Sequence, residues 1–191
     1  QEWGVDETMT RLMSEGLIRP CIVVGIDCGD LRYEEYYPSK ICQAIPEGVL
    51  PEGFAPLGDE YLKFIVEEVK PFIDSRYSTW ATAAHTFVAG SSCGGLISSY
   101  ALCEYPEVFS GAACLSTHSN LWNPYTEDEQ TLAADAYREY LLLNLPADAS
   151  HRLYMDCGDK TIDAGYDRTQ KAINEAISTL NWKTADGEDC Y

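Results

Sequence analysis

Thr86-Phe87-Val88-Ala89-Gly90-Ser91-Ser92-Cys93-Gly94-Gly95-Leu96 is the stretch on which the fold of this chain turns. Thr86 to Ala89 is an apolar run of strand length, and Gly94 to Tyr105 carries a helical pattern stopped by Pro106. Between them, Gly90-Ser91-Ser92-Cys93-Gly94 fits the G-x-S-x-G turn, which holds a serine on a sharp strand-to-helix bend. Glycines two positions either side of Ser92 remove the Cβ atoms that would collide where strand and helix converge. The bend strains the backbone of the central residue and projects its hydroxyl above the carboxyl end of the sheet. A helix N-terminus favours developing negative charge, so the Cys93 backbone N–H is placed to donate to an oxyanion. Five residues alone are a weak signal; strand before and helix after make it specific. A second register makes Cys93 the nucleophile, but it puts Ser91 where the first glycine belongs. A Gly/Ser-rich connector with no chemistry is the plain alternative, and it leaves the strained geometry without a use.

Outward from this element, short apolar runs alternate with stretches of helical period, as in an α/β sheet with right-handed crossovers. Upstream, Asp6 to Gly16 reads as a short helix, and Cys21-Ile22-Val23-Val24-Gly25-Ile26-Asp27 as a strand buried on both faces. Residues 28–58 are rich in Gly and Pro, an irregular stretch long enough to suggest function or mobility. Asp59 opens a helix whose stripe is Leu62, Ile65, Val66, Val69, Phe72 and Ile73, with Pro71 expected to bend its last turn. Downstream, Phe109 to Leu115 and His151 to Asp156 read as strands. Thr126-Glu127-Asp128-Glu129 forms a capping box, and a last helix runs from Asp167, its expected N-cap, to Leu180.

Composition narrows the function. Of 191 residues, 46% are hydrophobic, enough for the core of one domain. The balance of 13 basic against 31 acidic residues, net −18, repels phosphate backbones and anionic lipid, which argues against nucleic-acid and membrane partners. No run approaches the roughly 18 apolar residues of a membrane span. The acidic clusters, Glu127-Asp128-Glu129 and Asp186-Gly187-Glu188-Asp189, lack calcium-loop spacing and read as solvated surface. Eight cysteines include no Cys-x-x-Cys pair, so they read as mostly reduced; Cys21, Cys103 and Cys114 lie in apolar runs where a thiol packs as a small hydrophobe. Cys28, Cys42, Cys157 and Cys190 have loop-like surroundings and are the ones open to pairing in an exported protein.

Several blocks, taken with their spacing, resemble the putative-esterase branch of the α/β-hydrolases. They are Trp3-Gly4-Val5-Asp6-Glu7, Val23-Val24-Gly25-Ile26-Asp27, Arg32-Tyr33-Glu34-Glu35-Tyr36, Val66 to Asp74, Ala89 to Leu96, and Tyr105-Pro106-Glu107-Val108-Phe109. The branch includes siderophore esterases, S-formylglutathione hydrolases, feruloyl and acetylxylan esterases, and mycolyltransferases. The resemblance covers nearly the whole chain and implies an α/β-hydrolase core, a mostly parallel sheet with helices on both faces, formed by residues 1–191 as a single domain. It implies Ser92 as nucleophile, the Cys93 N–H as oxyanion donor (relatives usually carry Met there), and a small-molecule ester as substrate. The triad acid follows a later strand; Asp163 is the first choice and Asp159 the second, with Asp156 read as a strand-end carboxylate. No metal or organic cofactor is required.

The family order of Ser, acid, then His leaves a gap. Only His85, His118 and His151 are present. His85 and His151 open strands, at the ends opposite the site, and read as structural. His118 follows Ala112 to Thr117 at a carboxyl end and belongs to the substrate pocket, with a substitute general base as its lesser role. The expectation is therefore a domain lacking terminal pieces, its catalytic His and second oxyanion N–H outside the numbering. Apolar surface left bare would promote self-association. The rival from another class is a non-catalytic α/β-hydrolase-like binding or interaction module: the missing His favours it, and the intact bend disfavours it.

Overall fold

The computed structural model describes residues 3–121 and 127–191, with side chains described outside 127–131; the expected capping box at Thr126 lies outside the described residues. In chain order, α1 is Val5–Ser14, α2 Arg32–Tyr36, α3 Ser39–Ala44 and α4 Gly58–Phe64, which runs through a π turn, Ile65–Val69, into α5, Lys70–Arg76. Then come β1 (Phe87–Ser91), α6 (Cys93–Glu104), β2 (Gly111–Leu115), α7 (Glu127–Asn144), β3 (Arg152–Met155) and α8 (Asp167–Ser178). Strands β1, β2 and β3 form a parallel sheet in that order, in register from Phe87 opposite Gly111 and from Gly111 opposite Arg152. The crossover from β1 to β2 is α6, and α7 lies between β2 and β3.

Helix α6 is apolar around most of its circumference, and every residue from Cys93 to Cys103 is buried. It packs on the sheet face that carries Val88, Ala112, Cys114 and Leu153, while Tyr137 and Leu141 of α7 and Ile173 and Ile177 of α8 complete the core. Its two buried serines are satisfied locally: Ser98 Oγ donates to Gly94 O at 2.7 Å, and Ser99 Oγ donates to Leu96 O at 2.8 Å while pairing with the Tyr137 hydroxyl. The opposite sheet face bears Phe87 and Tyr154, 67% and 54% exposed, along a groove of about 550 Å³. Cys190 O accepts from Leu153 N–H at 2.9 Å, so the chain's end runs along β3.

Three differences from the sequence reading have physical causes. Cys21–Asp27 forms no strand; Cys21 is exposed, and Ile22, Val23 and Val24 are 48%, 55% and 42% exposed. Strand propensity expresses itself only when a neighbouring ladder accepts the backbone bonds, and no such ladder reaches this run. The long helix from Asp59 is interrupted by the π turn just before Pro71, a wider register that accommodates the residue without an N–H. Asp167 is the first helical residue rather than the N-cap, which is Tyr166, and it pairs with Lys171 at 2.7 Å. Residues 28–58 are also more ordered than a loop: Tyr37 and Ile41 are fully buried, and Gly58 lies so close to Tyr37 that an added Cβ would come within 2.5 Å of its carbonyl oxygen.

At the amino end of β3, His151 bridges Asp148 Oδ1 at 2.9 Å and the Pro106 carbonyl at 3.0 Å, and Ser150 gives both its N–H and its hydroxyl to the same carboxylate. Burial opposes ionisation of Asp148, but the Ser150 and His151 hydrogen bonds outweigh it and hold the pKa at about 2. A carboxyl depressed in the folded state stabilises above its unfolded pKa near 3.8 and loses that contribution as pH falls through about 2. Asp148→Asn is therefore expected to lower the urea midpoint at pH 6, with the gap to the parent protein closing between pH 4 and 2 (both read against that window). Parallel curves across the range would show that the carboxylate is not linked to folding.

Candidate active site

Ser92 stands between β1 and α6 with φ 58° and ψ −121°, a conformation that L-residues seldom adopt. Convergence of strand and helix enforces it. A Cβ on Gly90 would sit 2.4 Å from the Gly94 carbonyl oxygen, and one on Gly95 would sit 2.7 Å from Thr117 Oγ1. The bend is pinned from the sheet side as well: Ser92 N–H donates to Leu115 O at 3.0 Å, and Ser92 O accepts from His118 N–H at 3.2 Å and Gly95 N–H at 3.0 Å. Ser92 is half-buried, so its hydroxyl is not sealed in the interior. The Cys93 N–H, first in α6, goes to no backbone carbonyl among the described residues, which leaves it directed out of the helix end.

The Cys93 side chain lies beneath this bend. It is 2% exposed; burial raises its pKa, against smaller opposite effects from Arg32 and from a hydrogen bond with the Ser92 side chain. Arg32 Nη1 is 3.7 Å from Cys93 Sγ, and its guanidinium lies 5.6 Å and 5.8 Å from the ring centroids of Tyr33 and Tyr36. A buried neutral thiol is a poor nucleophile, which disfavours the register that would make Cys93 the attacking group.

The loops after β2 and β3 meet beside the serine. His118 shares a 2.6 Å hydrogen bond between Nδ1 and the Tyr166 hydroxyl, with the two rings edge to face. Burial pushes the His118 pKa down and Arg32 adds to this, against a backbone hydrogen bond at Leu121. No hydrogen bond joins the His118 ring to the Ser92 hydroxyl among the described residues; its link to Ser92 is through the backbone. Tyr166 follows the 3₁₀ turn Asp163–Gly165, whose first residue accepts from Gly158 N–H at 3.1 Å through Asp163 Oδ2. Asn120 ties the two loops, donating to Gly165 O at 3.3 Å and accepting from Thr169 Oγ1 at 2.7 Å.

Among the other acids, Asp159 is exposed, while Asp156 accepts from Ser116 N–H at 2.8 Å and from the Tyr154 hydroxyl at 2.9 Å. Asp156 thus ties the carboxyl ends of β2 and β3 together. His85 packs against Trp80, ring centroids 4.6 Å apart, just before β1, and His151 precedes β3; both stand at the strand ends away from Ser92. Sequence reasoning did not single out Tyr166; Tyr37, readable with Tyr33 and Tyr36 either as a pocket-lining or as a packing residue, is fully buried, its phenol without a hydrogen-bond partner among the described residues. Their roles come from contacts between distant segments and leave no local signature. Among the described residues no group of three or more His, Cys, Asp or Glu is placed to hold a metal ion, and no helix is long and apolar enough to cross a membrane.

A parallel sheet, a crossover helix and a strained serine between them define an α/β-hydrolase core. Residues 1–186 match the model of the family described as "Putative esterase", and the chain belongs to that family. Among solved structures it is similar to a ferulic acid esterase, with TM-score 0.64 and 18% identity over 94% of this chain and 66% of that one. It is also similar to an IroE-like serine hydrolase from Shewanella oneidensis, TM-score 0.58 and 18% identity over 81% of this chain and 48% of that one. The BES protein from Bacillus cereus gives TM-score 0.59 and 17% identity over 96% and 68%. The chain thus spans slightly under two thirds of the first of these proteins and about half of the second. Among curated proteins none matches.

Two outcomes follow from this geometry. Gly90→Ala drives a Cβ into backbone rather than into a movable side chain, and is expected to cost about 1–3 kcal/mol in denaturant unfolding. Gly95→Ala meets the Thr117 side chain at 2.7 Å rather than backbone at 2.4 Å and should cost less; equal losses would contradict the closer approach at Gly90. Limited alkylation at pH 7.5, followed by peptide mass spectrometry, should modify exposed Cys21 and Cys28 well before buried Cys93, Cys103 and Cys114. Early labelling at Cys93 would instead mark a reactive thiol.

Proposed function

We propose that the chain carries the acyl-transfer core of a carboxylic-ester hydrolase whose nucleophile is Ser92. The observation that carries the proposal is the serine's strained, half-buried position at the N-terminus of α6, with φ 58°, next to the Cys93 N–H, which no backbone carbonyl accepts among the described residues. Ser92 Oγ attacks the ester carbonyl, giving up its proton to a general base, and the negative charge collects on the former carbonyl oxygen. The Cys93 N–H donates to that oxyanion. Collapse of the tetrahedral species expels the alcohol, which takes up the proton, and leaves an acyl group on Ser92; water then releases the acid by the same steps in reverse order. Asp163 is the acid of choice: its carboxylate is fixed by Gly158 on the turn that leads to Tyr166, whereas Asp159 is free in solvent. His118 belongs to the pocket wall, held by Tyr166, and Asp163 serves to orient a histidine base other than His85, His118 and His151.

A second reading, a binding module without turnover, draws on one specific observation: none of the three histidines places its ring on the Ser92 hydroxyl. A fluorophosphonate probe with short-chain aryl-ester assays separates the two. Ser92 is expected to be labelled in the folded chain, labelling is expected to vanish in Ser92→Ala, and His118→Ala should retain it. Loss of a triad member typically reduces rate by orders of magnitude, so slow labelling is the expectation for the 191-residue chain by itself. A folded sample with no labelling at Ser92 would favour the binding module.

A further inference from the structure

We infer that Arg32 is a specificity-determining residue that receives a carboxylate on the substrate, close to the ester group; this rests on the reading of Ser92 as the nucleophile. The argument starts from charge. With 31 acidic residues against 13 basic, a cation in this chain has many potential partners, yet Arg32 makes no ion pair with a carboxylate among the described residues. It is half-buried, so the missing partner is not replaced by full hydration. Glu34 and Glu35 sit on the same short helix without engaging it.

The position of Arg32 is fixed by three contacts. Its guanidinium lies by the rings of Tyr33 and Tyr36, and Nη1 reaches Cys93 Sγ at 3.7 Å. Cys93 directly follows Ser92 at the start of α6, so the cation is held against the residue next to the attacking serine. Burial keeps that thiol neutral, and it does not cancel the charge. Tyr37, which closes the helix that carries Arg32, has its ring 6.2 Å from that of His118, so this helix lies beside the loop after β2. A guanidinium offers a planar fork of donors matched to a carboxylate, and one contact to a weak sulfur acceptor leaves most of those donors for a ligand. An ester carbonyl can accept one of these hydrogen bonds, but only a carboxylate answers the fork with two oxygens and the opposite charge.

The test uses benzoate and its neutral isostere benzamide as probes, titrated by calorimetry into the folded 191-residue chain. Benzoate is expected to bind the parent protein about tenfold more tightly than benzamide, the gain of a charge-assisted hydrogen-bonded pair. Arg32→Gln should abolish that preference, and Arg32→Lys, which keeps the charge and loses the fork, should retain a reduced one. Benzoate should also slow fluorophosphonate labelling of Ser92 in the parent protein and not in Arg32→Gln. Circular dichroism establishes that each variant is folded; if Arg32→Gln is not, the Arg32→Lys comparison carries the test. Equal binding of the two probes by the parent protein, or a benzoate preference unchanged in the folded variants, overturns the assignment. Loss of the benzoate preference in a chain whose Ser92 never labels would support Arg32 as the carboxylate site and remove the acyl-enzyme reading, so the two fail separately.

Discussion

The contact on which the rest depends is the one between the end of β1 and the first turn of α6. Gly90 and Gly94 approach so closely that the carbonyl of one occupies the space where the Cβ of the other would stand. No side chain fits at Gly90, whereas a Cβ on Gly94 would meet nothing within 4 Å, so the constraint on the turn comes from the strand side rather than equally from both expected glycines. Ser92 takes the strain of that turn, and the strain is held because both flanks are fixed: β1 by its pairing with β2, and α6 by a fully buried circumference. Loosening either flank would let the serine relax into an ordinary conformation and withdraw its hydroxyl from the helix end.

The loops above the sheet extend this constraint to the rest of the site. Ser92 is tied to β2 through Leu115 and to the following loop through His118 N–H. That loop is tied to the one after β3 through Asp156, Asn120 and the His118–Tyr166 pair. The segment that carries Asp163 is thus anchored at two points to the serine's own neighbours. Burial raises the Tyr166 pKa to about 12, so the phenol stays protonated at neutral pH, and the His118 ring beside it is pushed toward its neutral form. The pair acts as a spacer with hydrogen-bonding capacity and no net charge.

How much of this was legible in the sequence follows the range of the forces involved. The bend at Ser92 is set by five adjacent residues and by the strand and helix touching it, and local pattern sufficed to find it. Strands β2 and β3 and helix α8 were equally readable because their apolar periodicity is local. Cys21–Asp27 was misread because an apolar β-branched run becomes a strand only in company: β1 is an edge strand, yet no ladder joins its open side to this run among the described residues. The place of Asp167 was misjudged by one residue because the cap position is taken by Tyr166, whose ring is drawn into the core. Tyr166, Tyr37 and the setting of Arg32 depend on contacts across tens of residues, which no single-sequence pattern encodes.

Charge gives the site its last distinguishing property. The chain as a whole is strongly acidic, and at long range its field works against anions. Such a field is screened within roughly 8–10 Å at ordinary ionic strength, so it governs approach more than contact. At contact the balance is reversed locally: His118 is held toward neutrality, the Cys93 thiol is buried and uncharged, and Arg32 keeps its cation without a carboxylate beside it. A general negative field with one half-buried cation beside the strained serine favours discrimination by geometry rather than by attraction at a distance. On the proposed reading, an anion gains there only if its shape delivers the charge to the guanidinium while its ester reaches Ser92, so selectivity would come from the coupling between charge and position.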